Sequence, residues 1–164
     1  MSIDPWKLRQ AMAQFATGVT VVTTVEDGRP YGLTASSFAS LSMDPPLVLV
    51  CLSKRLETHA TIEKAGVFAI NILGASQREY GMRFAGMLPD VEDRFAGVDW
   101  TTSATGSPLL AGCLSWVDCR VWKIHDGGDH SIFVGEVQDV GVAEGGEPAL
   151  LYHNRLWGRG LFEE

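Results

Sequence analysis

Polar groups suited to ligand binding are concentrated in three segments, and the first is YGLTASSFASLS at residues 31–42. A glycine and five hydroxyl side chains interrupt what is otherwise the pattern of a strand. Hydroxyl groups and exposed backbone amides hydrogen-bond well to a phosphate or to the polar edge of a heteroaromatic ring. An edge strand with one polar face accounts for the same composition, so this segment alone leaves two interpretations.

The second segment, CLSKRLETHATIEKAG, begins as a strand and continues as a helix. Ser53, Lys54 and Arg55 stand at the junction, and the helix is entered through Thr58. The first turn of a helix has unpaired amides and the positive end of the helix dipole, and neighbouring cations and hydroxyls strengthen its attraction for anions. These residues predict a phosphate site, although ordinary capping with solvated charges fits the same residue types.

The third segment is HDGGDHSIFVGEV, in which Gly127 and Gly128 form a tight turn before Asp129 and His130. Histidine side chains exchange protons near neutral pH, so His130 can orient a nicotinamide or donate a proton. A lone surface histidine is more often inert, which is the alternative. The other histidines lack ligand spacing, and the three cysteines include no CxxC pair, so neither a metal site nor a disulfide is predicted.

Length and charge limit the class of protein. A chain of 164 residues suits one domain, here predicted to span residues 1–164. The formal net charge of −7 opposes binding to a phosphate backbone, so no nucleic acid partner is expected. No apolar run approaches the roughly 18 residues of a membrane-spanning helix, and the N-terminus lacks the features of a signal peptide. We therefore expect a soluble, cytoplasmic protein.

Hydrophobic periodicity and turn residues predict the order of the elements. Residues 4–16 predict a short amphipathic helix with Asp4 as its cap and Pro5 in its first turn. Short helices are also expected at residues 57–66 and 76–86, and residues 86–107 are expected to cross the surface. β-Branched and aromatic runs predict strands at residues 18–25, 31–38, 47–52, 67–73, 113–126 and 130–142.

Strands separated only by short helices predict a mainly β fold, an antiparallel barrel with a few short flanking helices. The first two predicted strands are joined by the hairpin sequence EDGRP. A doubly wound parallel sheet is disfavoured, because the glycine-rich sequence AEGGEP precedes no βαβ unit and the dinucleotide-binding fingerprint is missing.

Five segments, taken in order, resemble the flavin reductase family: FATGVTVVTT, YGLTASSFASLSMDPPLVLVCLSK, FAINIL, GDHSIFVGEV and PALLYHNRLWG. The resemblance covers nearly the whole length, and its ordered segments are far more specific than any one of them. That family supplies reduced flavin to two-component flavin-dependent monooxygenases, such as those acting on 4-hydroxyphenylacetate and phenol. The resemblance implies an FMN-binding split β-barrel, usually a homodimer with the flavin near the subunit interface.

The resemblance also implies which residues form the site. The cofactor-binding residues are Thr34, Ala35, Ser36 and Ser37 for the isoalloxazine ring and ribityl chain, Cys51, Leu52, Ser53, Lys54, Arg55 and Thr58 for the strand end and the phosphate, Phe84 beside the flavin, and Tyr152 and Arg155 at the border of the pocket. His130 matches the residue next to the nicotinamide and is the expected catalytic residue. Leu56 departs from the family, which often has a hydroxyl residue there. Glu57 adds a charge that repels phosphate unless it points away or pairs with Arg55.

The resulting hypothesis is an NAD(P)H-dependent flavin reductase in which hydride passes from C4 of the reduced nicotinamide to N5 of FMN, with FAD as the alternative flavin. The donor is NADH or NADPH, and NADPH would need a basic residue such as Arg155 or Arg159 facing the pocket. A flavin-dependent monooxygenase is the expected partner. Two alternatives remain: a flavoprotein or sensor that retains FMN without turnover, and a split-barrel oxidoreductase with another electron acceptor.

Overall fold

The computed structural model describes residues 3–160. Its α-helices are α1 (Pro5–Ala13), α2 (Glu57–Ala65) and α3 (Arg78–Phe84), the last preceded by a 3-10 turn at Ala75–Gln77. Its strands are β1 (Thr17–Gly18), β2 (Thr20–Glu26), β3 (Arg29–Ala35), β4 (Phe38–Met43), β5 (Pro46–Ser53), β6 (Val67–Ile72), β7 (Trp100–Thr101), β8 (Leu109–Leu110), β9 (Ser115–Gly127), β10 (His130–Val142), β11 (Leu150–His153) and β12 (Leu156–Arg159). No helix in this described range is long and apolar enough to cross a membrane.

A seven-stranded sheet in the order β3-β2-β6-β9-β10-β5-β4 forms the body of the molecule. Hairpins join β2 to β3, β4 to β5 and β9 to β10, and every pair is antiparallel. The β2–β3 turn has Asp27 and Gly28 at φ 50° and 78°, the conformation that favours an Asp-Gly pair. The sheet curls until β3 lies beside β5, but no hydrogen-bonded ladder of described strands joins them. The prediction of a mainly β, antiparallel split barrel is confirmed.

β2 is buried on both of its faces. Val22 belongs to the cluster inside the barrel, together with Phe68 of β6 and Ile62 of α2. Val21 belongs to a second cluster, together with Phe84 of α3. Successive side chains of a strand point to opposite faces, so a strand covered on both sides needs a nearly continuous apolar or β-branched run. The sequence TVVTTV in β2 meets that requirement.

The predicted strand over residues 31–38 is wrong, because the chain turns a corner within it. β3 ends at Ala35, Ser36 and Ser37 are exposed, and β4 begins at Phe38. The predicted first strand is also divided, because residue 19 separates β1 from β2. The hydroxyl-rich segment is therefore a corner between two strands of the sheet, at the line where the barrel is open.

The C-terminal segment forms a hairpin that was not predicted. β11 pairs with β12 and with β1, so that Thr17 lies opposite Tyr152. β11 and β12 have four residues each, which is too short for a periodic pattern to be distinctive. The predicted surface crossing at residues 86–107 is partly wrong as well, since Val98 and Ser107 are buried.

Two predicted helices are shorter than expected. α1 starts as predicted, since the Asp4 carboxylate accepts a hydrogen bond from the amide of Trp6 at 2.9 Å, but it ends at Ala13. The helix expected over residues 76–86 is divided into the 3-10 turn and α3. None of the residues of α1 is buried, and its apolar side chains Trp6 and Met12 are exposed. Leu8 and Met12, four residues apart on one face of α1, are therefore left largely open to solvent by residues 3–160.

Candidate flavin site

The open line of the barrel is bridged at Ser37. The Ser37 hydroxyl donates to the carbonyl of Cys51 at 2.7 Å and accepts from the amide of Cys51 at 3.2 Å. Phe38 pairs with Val50, so Ser37 lies opposite Cys51 and its hydroxyl takes the place of a backbone group in the β4–β5 ladder. The Ser37 hydroxyl thus acts as both donor and acceptor in holding the corner against β5.

The residues just before the corner differ in what their side chains contact. The Thr34 hydroxyl donates to a carbonyl of α3 at 2.7 Å. Ala35 is buried, and its carbonyl accepts from the Thr20 hydroxyl at 2.7 Å. Ser36 instead borders an open groove of about 290 Å³, which Thr17 also lines. Of these predicted site residues, Ser36 has the side chain positioned for contact with a ligand.

The first turn of α2 has no capping side chain. Leu56 occupies the N-cap position, where no side chain accepts a hydrogen bond. The amide of His59 donates to the carbonyl of Leu56 at 3.0 Å, whereas the amides of Glu57 and Thr58 have no acceptor among residues 3–160. Ordinary side-chain capping, the alternative to a phosphate site, therefore does not describe this helix. Two free amides stand at the positive end of its dipole.

Arg55 and Glu57 set the charge beside that turn. Arg55 is exposed, and its guanidinium forms no ion pair within the described part of the chain. Glu57 is exposed as well and is not paired with Arg55, so its charge is not cancelled in that way. Both Glu57 and Thr58 line a cleft of about 530 Å³ that extends between α2, β3 and residues 92–95. The guanidinium of Arg55 is available to an anion.

Lys54 contacts the β9–β10 turn. Its ammonium group is ion-paired with Asp126 and donates to the carbonyl of Gly128 at 2.7 Å. Its amide donates to the carbonyl of Asp129 at 3.0 Å. The hydrogen bond from Lys54, together with its charge, lowers the pKa of the Asp126 carboxyl. The end of β5 is thereby fastened to the turn that precedes His130.

His130 lies opposite Ser53 at the start of β10. The Nδ1 atom of His130 is 2.7 Å from a carboxylate oxygen of Asp129, and 46% of the His130 side chain is exposed. The hydrogen bond from His130 is the main cause of the lowered pKa of Asp129. The Asp129 carboxylate fixes the orientation of the ring, and Nε2 of His130 has no hydrogen-bond partner among residues 3–160.

Comparison with known proteins identifies the family of this chain. The family model described as flavin reductase like domain matches residues 12–159. This chain belongs to the flavin reductase family. The reductase subunit HsaB of a flavin-dependent monooxygenase from Rhodococcus jostii strain RHA1 is 43% identical over 157 residues, which are 96% of this chain and 79% of the relative. The predicted resemblance and the predicted class of enzyme are confirmed.

Solved structures of relatives share the fold of this flavin reductase. Nitrilotriacetate monooxygenase component B from Mycobacterium thermoresistibile is 41% identical with a TM-score of 0.87, over 93% of this chain and 84% of that chain. The NADH:FAD oxidoreductase SgcE6 from Streptomyces globisporus C-1027, solved with NAD and FAD fragments, is 34% identical with a TM-score of 0.88, over 98% of this chain and 97% of that chain.

Four of the predicted site residues of this flavin reductase are buried, namely Ala35, Leu52, Thr58 and Phe84. Leu52 and Phe84 are each 1% exposed. Phe84 lies beneath β3, where its ring comes within 2.9 Å of the position that a Cβ would occupy on Gly32. Leu52 packs in the cluster inside the barrel, and Phe84 packs in the second cluster. A direct contact between either side chain and flavin stays a prediction.

Tyr152 and Arg155 lie apart from the group formed by Ser53, Lys54 and His130. The Tyr152 ring packs edge-to-face on Trp157, with 5.0 Å between the ring centroids. The Arg155 guanidinium lies 4.7 Å from the centre of the Trp6 ring. Tyr152 is connected to the corner at Ser36 through Thr17, because Thr17 pairs with Tyr152 and lines the same groove as Ser36.

A buried hydrogen bond that was not predicted connects α2 to β10. The Nε2 atom of His59 is 2.9 Å from the Ser131 hydroxyl, and both residues are buried. The His59 ring also packs edge-to-face on Phe133, with 4.9 Å between the centroids. His59 belongs to the buried stripe of α2 that includes Ile62, and this helical spacing was the signal available in the sequence. The first turn of α2 is thus fixed to the strand that carries His130.

The three cysteines are free thiols in the described part of the chain. Cys51 is half-buried, while Cys113 and Cys119 are buried. Burial raises the pKa of Cys113. Burial, followed by the charge of Asp118, raises the pKa of Cys119 to about 12, so both thiols stay protonated at neutral pH. No group of metal-binding side chains occurs within residues 3–160.

Proposed function

We propose that this flavin reductase oxidises NADH and reduces a flavin whose phosphate binds at the first turn of α2. The observation that carries the proposal is the uncapped start of α2, where, among residues 3–160, two amides have no acceptor and the neighbouring guanidinium of Arg55 has no ion pair. Phosphate supplies the missing acceptor and the opposite charge. Flavin, when bound, supplies the acceptor for the hydride of the reduced nicotinamide. The two amides and the Arg55 guanidinium fit such a group, and their attraction has to exceed the repulsion from the Glu57 carboxylate in the same turn.

The chain's own residues orient the reactants. We infer that the ring system of the flavin lies along the corner at Ser36 and the outer face of β5, because both adjoin the phosphate site. His130 follows at the next strand, opposite Ser53, where its Nε2 atom is free to hold the nicotinamide amide or to balance a proton. Asp129 keeps that nitrogen directed away from the turn. The site thus acts by alignment, with no nucleophile required.

NADH is the expected donor in preference to NADPH. The relative SgcE6 is named an NADH:FAD oxidoreductase. The extra 2′-phosphate of NADPH needs a cation in the pocket, and Arg155, a candidate for that role, lies over the Trp6 ring, apart from the group formed by Ser53, Lys54 and His130. We place the reaction in the cytoplasm, where reduced nicotinamide is supplied, and expect a flavin-dependent monooxygenase as the consumer of reduced flavin, as the name of HsaB states for that relative.

FMN and FAD both carry the phosphate that the first turn of α2 fits, and we propose that the adenylyl half of FAD occupies the adjoining 530 Å³ cleft. The cleft is lined by Arg29, whose guanidinium lies 5.0 Å from the centre of the Tyr31 ring. A stacked guanidinium offers a flat cationic surface to a purine. The Arg29→Ala variant is therefore expected to raise the KM for FAD about threefold to fivefold, the size of an exposed cation–π contact. FMN is the internal control, and an equal rise in both KM values would contradict this placement.

The exposed stripe of α1 supports a homodimer. Leu8, Met12 and Phe15 have the i, i+4, i+7 spacing of one helical face and are each at least 47% exposed, which is a costly surface for a chain that acts alone. We propose that a second copy covers this stripe. Light scattering after size exclusion is expected to give twice the mass of the chain, and Leu8→Glu with Met12→Glu is expected to give the mass of one chain. A wild-type monomer at micromolar concentration would exclude this role for α1.

The experiment that tests the proposed function is NADH oxidation by the purified protein with FMN, FAD or riboflavin, after recording its visible spectrum. Turnover that depends on added FMN or FAD supports a reductase with flavin as a diffusible substrate. Turnover with flavin already bound and no response to added flavin would indicate a flavoprotein. No oxidation of NADH or NADPH with any flavin would exclude the reductase function.

A further inference from the structure

The contacts of Lys54 differ from those of its neighbour Arg55. Both residues follow β5 and both carry a positive charge that suits phosphate. Lys54 is held by an ion pair and two hydrogen bonds, all to the β9–β10 turn, while Arg55 forms no ion pair within residues 3–160. Two of the three donors of the Lys54 ammonium group are taken by Asp126 and the carbonyl of Gly128, so a phosphate would find one donor and a charge already paired with Asp126.

The turn that Lys54 holds is the one that presents His130. Asp129 links the two, because its carbonyl accepts from the amide of Lys54 and its carboxylate bonds to Nδ1 of His130. β5 and β10 are paired only as far as Ser53 and His130, so the bonds of Lys54 continue the connection beyond the last paired residues. Three contacts from one residue fix the turn in space, whereas one exposed ion pair would contribute little.

We propose that Lys54 is a positioning residue, which holds the turn at residues 126–129 so that His130 faces the bound flavin, and that of these two neighbours Arg55 supplies the cation for the phosphate. This assignment rests on the proposed function and refines it. The alignment of nicotinamide and flavin would then depend on Asp126, an exposed carboxylate that touches neither.

The test compares Lys54→Met with Asp126→Ala, because the two substitutions break the same contact and change the charge in opposite directions. Both are expected to lower kcat/KM for NADH about fivefold to tenfold, since a small displacement of the aligned group is costly. The ratio of FMN to riboflavin affinity is expected to change by less than about threefold in either variant, because riboflavin lacks the phosphate and remote exposed charges are screened. Lys54→Arg retains the donors and is expected to restore most of the activity.

A phosphate-binding Lys54 gives a different pattern. Lys54→Met would then weaken FMN more than about tenfold relative to riboflavin, and Asp126→Ala would strengthen FMN by releasing the ammonium group. Either result would overturn the proposal. Lys64→Met is the matched control, because Lys64 is an exposed lysine whose ion pair, with Glu26 of β2, does not involve this turn.

Hydrogen exchange of the protein without flavin tests the same contact independently of turnover. Amides of residues 127–131 are expected to exchange at least about fivefold faster in Lys54→Met and in Asp126→Ala than in the wild type, with no change in Lys64→Met. Unchanged exchange in Lys54→Met would overturn the proposal even if the reductase is active. Faster exchange in a protein that oxidises no NADH would support the structural role while rejecting the proposed function.

Discussion

Exchanging Arg55 for glutamate is expected to weaken the binding of FMN about a hundredfold and to leave the binding of riboflavin within about twofold. Arg55 is the unpaired cation beside the uncapped turn of α2, where Glu57 already contributes one negative charge. A second carboxylate at this turn would meet the phosphate directly and would also take up the free amides as an internal cap. The dissociation constants can be measured by quenching of flavin fluorescence.

The comparison of the two flavins makes this result specific. Riboflavin carries the same ring as FMN without the phosphate, so a loss of both affinities would mean that the variant had damaged the ring site. Arg78→Glu is the matched control, because Arg78 is an exposed cation at the start of α3. If FMN bound Arg55→Glu as tightly as the wild type, the phosphate site would have to be sought elsewhere.

Replacing Gly135 by alanine is expected to lower the free energy of unfolding by about 3 kcal/mol, at the upper end for one added methyl group in a packed core. A Cβ on Gly135 would lie 2.4 Å from the Phe68 ring and 2.9 Å from the Cβ of Cys119. Gly135 is paired with Val48 on one side and with Val121 on the other, so the strand cannot move aside. The melting temperature should fall by about 6 to 12 °C.

A second substitution separates overpacking from other causes. Phe68→Leu removes the ring atoms that a Cβ on Gly135 would meet. The double variant is therefore expected to lose less free energy of unfolding than the sum of the losses in the two single variants. Gly158→Ala is the control, since nothing lies within 4 Å of a Cβ at that position, and it should change stability by no more than about 0.5 kcal/mol. Full additivity of the first pair would mean that the Phe68 contact is not the cause.

Local signals were enough to predict several elements. Asp27 and Gly28 gave the first hairpin, and Gly66, at φ 69°, ends α2 as its position after the helical pattern predicted. Asp4 caps α1 because its carboxylate accepts a hydrogen bond from the amide of Trp6, two residues away. In each case the residue that determines the conformation lies within the element or next to it, so no knowledge of the rest of the fold is needed.

The corner at Ser36 and Ser37 could not be predicted in this way. Residues of high β propensity continue through the corner, so propensity does not mark the end of β3. The corner is held instead by the hydrogen bonds between the Ser37 hydroxyl and the backbone of Cys51, which belongs to another strand. The ion pair of Lys54 is still less visible, because Asp126 is 72 positions further along the chain. Contacts of this range depend on strand order and register, which the sequence of one strand does not contain.

The predicted site illustrates one missed use of strand periodicity. Cys51 and Leu52 were both assigned to the flavin, although neighbours on a strand point to opposite faces. In β5 exposure alternates, so Cys51 is half-buried and Leu52 belongs to the core. The resemblance to a family indicated the segment, and the alternation would have indicated which of its side chains face outward.

The pairing of β1 with β11 has a consequence for how the chain folds. Thr17 and Tyr152 are neighbours in space although they come from opposite ends of the sequence. The β9–β10 hairpin needs only a short loop to close and can form within microseconds. The β1–β11 contact joins residues 17 and 152, so it forms only at the entropy cost of closing that long loop. A topology dominated by such distant pairings folds in milliseconds to seconds, and during synthesis the β1–β11 pair can form only after residues 150–153 have been made.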